Sequence, residues 1–218
     1  EATELTFATG HEWTQTVVRE QDNQPATNAN GTEMWQATGN YKQTIGELES
    51  GLYKVSIQAF YRNGGPDDCA TRYATGYNTV LAYLQANDTK IQVKSWAEDK
   101  GDGNDPNSMS QAKAKFDEGK YLAEGYACVG DDGVLNLTVN NPAYVGSGWF
   151  IAGNVKYAKV SDALLLAAYN LAADEEAVAV GKLLDAIRDY EANYEFADAL
   201  QAAIDQFKAD NADQESDQ

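Results

Sequence analysis

Sixteen consecutive positions, Arg62 to Tyr77, hold Arg62, Asn63, Asp67, Asp68, Arg72, Tyr73 and Tyr77. Planar donors, carboxylate acceptors and aromatic rings so close in sequence suit recognition of a hydroxyl-rich ligand. Ring faces carry negative quadrupole charge that attracts the C–H side of a pyranose. Arg, Asn and Asp can then read hydroxyl orientation. Trp96 stands at the mouth of the next loop and is the expected stacking platform. That loop, 98–105, is acidic. Asp99, Asp102 and Asp105, with Asn104, offer the hard oxygen ligands that calcium takes. The spacing lacks the terminal bidentate Glu of an EF-hand loop, so a solvated acidic loop is the plainer reading.

Catalytic chemistry is poorly provided for. The single histidine, His11, has no Ser or Cys motif to pair with, and no HExxH, nucleophile elbow, P-loop or dinucleotide fingerprint occurs. A glycosidase carboxylate pair is defined in space rather than in sequence. Asp67, Asp68 and the acids of 98–105 could form one, but the expectation is a non-enzymatic chain.

Net charge is −18 over 218 residues. Residues 161–218 carry 14 acidic and 3 basic groups, and residues 1–160 the remaining 20 and 13. Such a field repels phosphate backbones and anionic lipid, which disfavours nucleic acid and membrane surfaces as partners. No apolar run approaches the roughly 20 residues a bilayer span requires. Cys69 and Cys128 are the only cysteines; a disulfide or two free thiols are equally compatible with the sequence.

The elements that must position these groups are mostly strands. Residues 51–64 alternate, with Tyr53, Val55, Ile57, Ala59 and Tyr61 on one face and Lys54, Ser56, Gln58 and Arg62 on the other. Phe60 is the one large apolar residue on that second face. A strand at 41–48 before it reads as its hairpin partner. Residues 4–8, 13–18 and 149–160 supply further strands. Pairs are expected at 77–85 with 90–96, and at 121–129 with 134–139 across Gly130-Asp-Asp-Gly133. The break 63–68 reads as loop, and 106–118 as the one short helix, with Met109, Ala112 and Phe116 on a helical stripe. This is a mainly β, two-layer antiparallel sandwich over 1–160. Trp35, Tyr61 and Trp149 are assigned to its core. From Ser161 the apolar period becomes 3.6, predicting about three helices to residue 207 and an acidic tail. Those stripes could dock a protein partner.

Three segments carry a resemblance: Tyr41-Lys-Gln-Thr-Ile with Leu52-Tyr-Lys-Val and Phe60-Tyr-Arg; Asn107-Ser-Met-Ser-Gln-Ala with Phe116-Asp-Glu-Gly-Lys-Tyr121; and Gly148-Trp-Phe with Gly153-Asn-Val-Lys-Tyr157. Together they resemble the galactose-binding-like jelly rolls used as carbohydrate-binding modules in secreted and cell-surface proteins of gut-type Bacteroidetes. The resemblance implies a non-catalytic glycan-binding module outside the cell, with a structural or adhesion module as the alternative. One position departs: Gly153-Asn154-Val155 stands where such modules often read Asp-Asn-Phe.

Overall fold

A computed structural model describes residues 2–7, 13–19, 26–28, 30–99 and 105–162. In chain order the elements are β1 (Thr3–Leu5), β2 (Thr14–Arg19), β3 (Ala26–Asn28), β4 (Gly31–Trp35), β5 (Ala37–Ile45), β6 (Gly51–Arg62), α1 (Pro66–Ala74), β7 (Tyr83–Ala86), β8 (Thr89–Gln92), β9 (Lys94–Ser95), α2 (Met109–Asp117), β10 (Leu122–Val129), β11 (Leu135–Asn141) and β12 (Trp149–Lys159). They form two sheets within the compact unit Glu1–Lys159. One is ordered β10-β6-β12-β4-β3, with β1 on β12 and β9 parallel to β6; the other is β2-β5-β11-β7-β8. The helices expected after residue 161, His11 and Asp102 lie outside the described residues.

The chain is mainly β with two layers, as its alternation predicts. The inward face of β6 meets Leu135, Leu137 and Val139 of β11 and Leu84 and Ala86 of β7 in one buried core.

Two expected hairpins are absent. β5 and β6 lie in different sheets, and so do β10 and β11. The turns 46–50 and 130–134 are therefore arches that carry the chain across the core. The reason is the apolar face: each strand is buried by facing its neighbour through side chains, while its backbone pairs with strands distant in sequence. The arches brace each other. Leu48 N–H donates to the Gly133 carbonyl at 3.0 Å. Gly133 has φ +65°, and a Cβ there would stand 2.6 Å from the Leu48 oxygen. Asn87, at the tip of the β7–β8 hairpin, clamps the second arch by donating to Cys128 O (2.7 Å) and Val134 O (3.1 Å).

The second face of β6 is covered at its C-terminal end, at Phe60 and Arg62. Phe60 is the centre of a second core on the outside of the larger sheet, with Cys69, Trp96, Ala112, Phe116, Tyr121, Trp149 and Ile151. Its ring lies 4.8 Å from Tyr121, 5.0 Å from Trp149 and 6.0 Å from Phe116, centroid to centroid. α2 supplies Ala112 and Phe116, so the predicted helix is present and its stripe is buried. The departure at Gly153 has a cause here. The register of β12 against β6 shifts between Ala152 and Val155, and a Cβ on Gly153 would meet the Phe116 ring at 2.8 Å. The helix can lie on the sheet only where β12 has no side chain.

The loop expected at 63–68 instead opens a helix. Pro66 at its start, Asp67 and Asp68 in the first turn and Arg72 in the last favour α1. Only Cys69 of its nine residues is buried, which left no apolar period to read. Cys69 and Cys128 are unbonded, one buried in the outer core and the other exposed on β10.

Candidate functional site

Directly opposed residues in an antiparallel pair project to the same side of a sheet. Trp149 is opposite Arg62 on β6 and opposite Trp35 on β4. These three side chains therefore stand in one row across three neighbouring strands, at the edge of the outer core. Burial differs along the row. Trp149 is 3% exposed and Arg62 5%, whereas Trp35 is 36% exposed. Between them opens a cleft of about 560 Å³, rimmed by Glu33, Pro66, Asn107, Ser108, Met109 and Ser147.

Local structure fixes most of the rim. Trp149 Nε1 donates to Glu33 Oε2 at 2.8 Å, which holds the indole and the carboxylate together. Gln36 N–H donates to the Gly148 carbonyl at 2.9 Å and ties the end of β4 to the 147–148 turn. Ser108 caps α2 by accepting from Gln111 N–H, and Gln111 Oε1 in turn accepts from Asn107 N–H at 2.8 Å. That exchange fixes the Asn107 backbone, and the Asn107 Oδ1 accepts from Arg62 Nη1 at 2.7 Å. Arg62 Nε donates to the Gly64 carbonyl at 3.2 Å. Its guanidinium carbon lies 5.0 Å from the Trp149 ring centroid and 6.0 Å from that of Trp96. Burial depresses the Arg62 pKa, yet a guanidinium stays protonated in a protein. The cleft thus presents a partly exposed indole, a fixed cation, a hydrogen-bonded carboxylate, hydroxyls and an amide. It can stack on a flat ligand with apolar C–H faces and exchange hydrogen bonds around its rim.

The residues read from sequence are only partly brought together. Arg62 lies in the cleft. Asn63 is buried beside it in sequence but turns to Arg72, whose Nη1 donates to Asn63 O at 2.8 Å and Oδ1 at 3.0 Å. Asp67 and Asp68 are exposed in the first turn of α1 beside Pro66, and neither pairs with Arg62. Tyr73 and Tyr77 are exposed, Tyr77 by 80%, but at the far end of α1 and off the cleft. Trp96 is a correction. It is 1% exposed, pairs its backbone with Tyr61 O, and donates from Nε1 to Pro106 O at 2.8 Å. A ring enclosed by the outer core has no face to offer a ligand.

Of the loop expected to take calcium, Asp102 and Asn104 lie outside the described residues, and Asp99 has protein partners. Its Oδ2 accepts from Tyr121 N–H at 2.8 Å and its Oδ1 faces Lys120 Nζ at 3.5 Å, so it anchors the chain after α2. Asp105 is half-buried with partners of its own. Among the described residues no group of three or more His, Cys, Asp or Glu is placed to hold a metal.

Residue types alone do not point to Glu33, Trp35, Asn107, Ser108, Ser147 or Trp149 as site residues. The core placement expected for Trp35 and Trp149 holds for Trp149 alone. The available signal was that Glu33 and Trp35 share a strand face with Trp149 and Arg62, but it appears only once the pairing order of β4, β12 and β6 is known.

No protein-family model matches the chain, and no curated protein matches it. Solved structures similar to it include a CBM35 from Cellvibrio japonicus Abf62, at 10% identity and TM-score 0.36, covering 72% of this chain and 93% of that one. TmCBM61 in complex with beta-1,4-galactotriose matches at 12% identity and TM-score 0.37, over 66% of this chain and 88% of that one. The carbohydrate-binding module CBM6cm-2 from Cellvibrio mixtus lichenase 5A, in complex with cellotriose, matches at 8% identity and TM-score 0.33, over 73% and 98%. These likenesses concern general architecture and identify no residue of the cleft.

Proposed function

We propose that the chain is a non-catalytic glycan-binding module, a galactose-binding-like jelly roll that holds a larger secreted or cell-surface protein on polysaccharide. The observation that carries this is the row Trp35–Trp149–Arg62. A partly exposed indole stands over a cleft in which Glu33, Trp149, Arg62, Asn107 and Ser108 are held by hydrogen bonds before any ligand arrives. Such a surface suits a pyranose ring: the indole takes its C–H face, and Glu33, Ser108, Ser147 and Arg62 meet its hydroxyls. Preorganisation limits the ordering cost of binding. Affinity is expected to be weak, because an open cleft leaves water to compete for each hydroxyl. The extracellular setting follows from the sequence resemblance alone.

Native gels cast with neutral and acidic polysaccharides test this. The wild-type chain should be retarded by at least one, and Trp35→Ala should run free while keeping its circular dichroism. Burying about 60–80 Å² of indole face contributes roughly 1.5–2 kcal/mol, so the variant should bind roughly 10- to 30-fold more weakly. Tyr77→Ala, off the cleft, should behave as wild type. Retention that survives Trp35→Ala but is lost in Tyr77→Ala would move the site to α1. No retention by any polysaccharide would favour the structural or adhesion role.

A further inference from the structure

Arg62 is buried, and among the described residues it has no counter-charge. Two of its five N–H groups are used, one by the Gly64 carbonyl and one by the Asn107 amide oxygen, and both acceptors are neutral. No carboxylate pairs with it among the described residues. Glu33, the acid of the same cleft, gives its Oε2 to Trp149 Nε1 instead. The indoles of Trp149 and Trp96 lie 5.0 and 6.0 Å from the guanidinium carbon, and cation–π contact of that kind leaves N–H groups unspent. Withdrawing a cation from water is unfavourable unless an anion and full hydrogen bonding offset it. Here the offset is incomplete, and the side chain that lacks it lines an open cleft.

We infer that the cleft selects a sugar carrying an anionic group, a carboxylate or a sulfate ester, whose oxygens complete the hydrogen bonding and charge of Arg62. The inference rests on the cleft being a glycan site. A planar guanidinium matches two oxygens of an oxyanion at once, which a lysine ammonium does not. The rest of the molecule restricts what kind of anion can approach. The chain carries −18 overall, and Asp67 and Asp68 are exposed on α1 beside Pro66 at the cleft rim. Dense polyanions are repelled by that field. An isolated charged residue on an otherwise neutral glycan is not, because it places one oxyanion on one arginine.

The test compares matched oligosaccharides on the full chain, by calorimetry at about 0.15 M salt with chelator present to remove cation bridging. Xylo-oligosaccharides with and without a single glucuronate branch form one pair; galacto-oligosaccharides with and without one 6-sulfate form the other. At least one charged member should bind about tenfold or more tighter than its neutral partner, as a single charge-assisted pair provides. Which pair responds tells carboxylate from sulfate. Asn107→Asp would place a carboxylate on Arg62 from the exposed rim, without disturbing the buried side chain. It should erase the preference, and Arg62→Lys should reduce the preference severalfold. Equal binding of charged and neutral members overturns the inference and leaves the glycan reading intact. A preference that persists in Asn107→Asp also overturns it. Binding of no oligosaccharide, with no retention in the gels, overturns both.

Discussion

Replacing Phe60 by alanine tests whether the outer layer is a true core that supports the cleft. Phe60 is fully buried on the outward side of β6, with the rings of Tyr121, Trp149 and Phe116 centred 4.8, 5.0 and 6.0 Å away. Its removal leaves a phenyl-sized void under three rings that are held from behind by strands and α2, so little collapse can fill it. Truncations of this kind cost about 3–5 kcal/mol. For a unit of this size each kcal/mol lowers Tm by roughly 2–4 °C, which places the variant about 6–20 °C below wild type. Urea unfolding followed by tryptophan fluorescence and far-UV circular dichroism measures it. Both probes should shift together with an unchanged slope, because one cooperative unit includes α2. Glycan retention should weaken as well, since Trp149 rests on Phe60 and Arg62 rests on Trp149. A loss below about 1 kcal/mol would refute the reasoning and return the outward face of β6 to the solvated state that its polar residues suggest.

Gly133→Ala should cost about 1–3 kcal/mol in the same assay, since its φ of +65° is strained for alanine and its Cβ would meet the Leu48 oxygen at 2.6 Å. Gly76→Ala is the control: φ is +74° with nothing within 4 Å, so a difference between the two isolates the contact between the arches. Burial pushes the Tyr61 phenol up to about 12. An unfolded tyrosine ionises near 10, so the folded state holds more protons above that pH and stability falls between pH ~10 and ~12. Tyr61→Phe should lose part of that alkaline sensitivity at little cost near neutrality, because the hydroxyl makes only a long 3.4 Å bond to Ala143 O. An identical alkaline profile for wild type and variant, by circular dichroism, would count against it. Burial also raises the Tyr121 phenol, assisted by the charges of Asp105 and Asp99, so some alkaline sensitivity should remain in the variant.

Much of the fold was legible because strand periodicity is local. The inward set Tyr53, Val55, Ile57, Ala59 and Tyr61 is buried as alternation requires, and Met109, Ala112 and Phe116 lie on a helix capped by Ser108. Arg62 was singled out by its chemistry, and it does line the cleft. Strand partners were not legible. The same alternation serves a hairpin or an arch, since it reports which face is buried and not which backbone is the neighbour. Proximity in sequence suggests hairpins at 46–50 and 130–134, and the sheets pair otherwise. α1 was hidden because one buried residue in nine gives no period. The site followed the same division. Residue types alone nominate Arg62, but Trp35, Trp149, Glu33 and Asn107 come from positions 27 to 87 residues away in the chain. Only the order β6-β12-β4 puts Trp35, Trp149 and Arg62 in one row, and only packing decides that Trp35 keeps a third of its surface exposed while Trp96 closes over. A sequence fixes which chemical groups exist and which faces must be buried. Exposure and adjacency are properties of pairs of distant segments, so tertiary structure alone decides them.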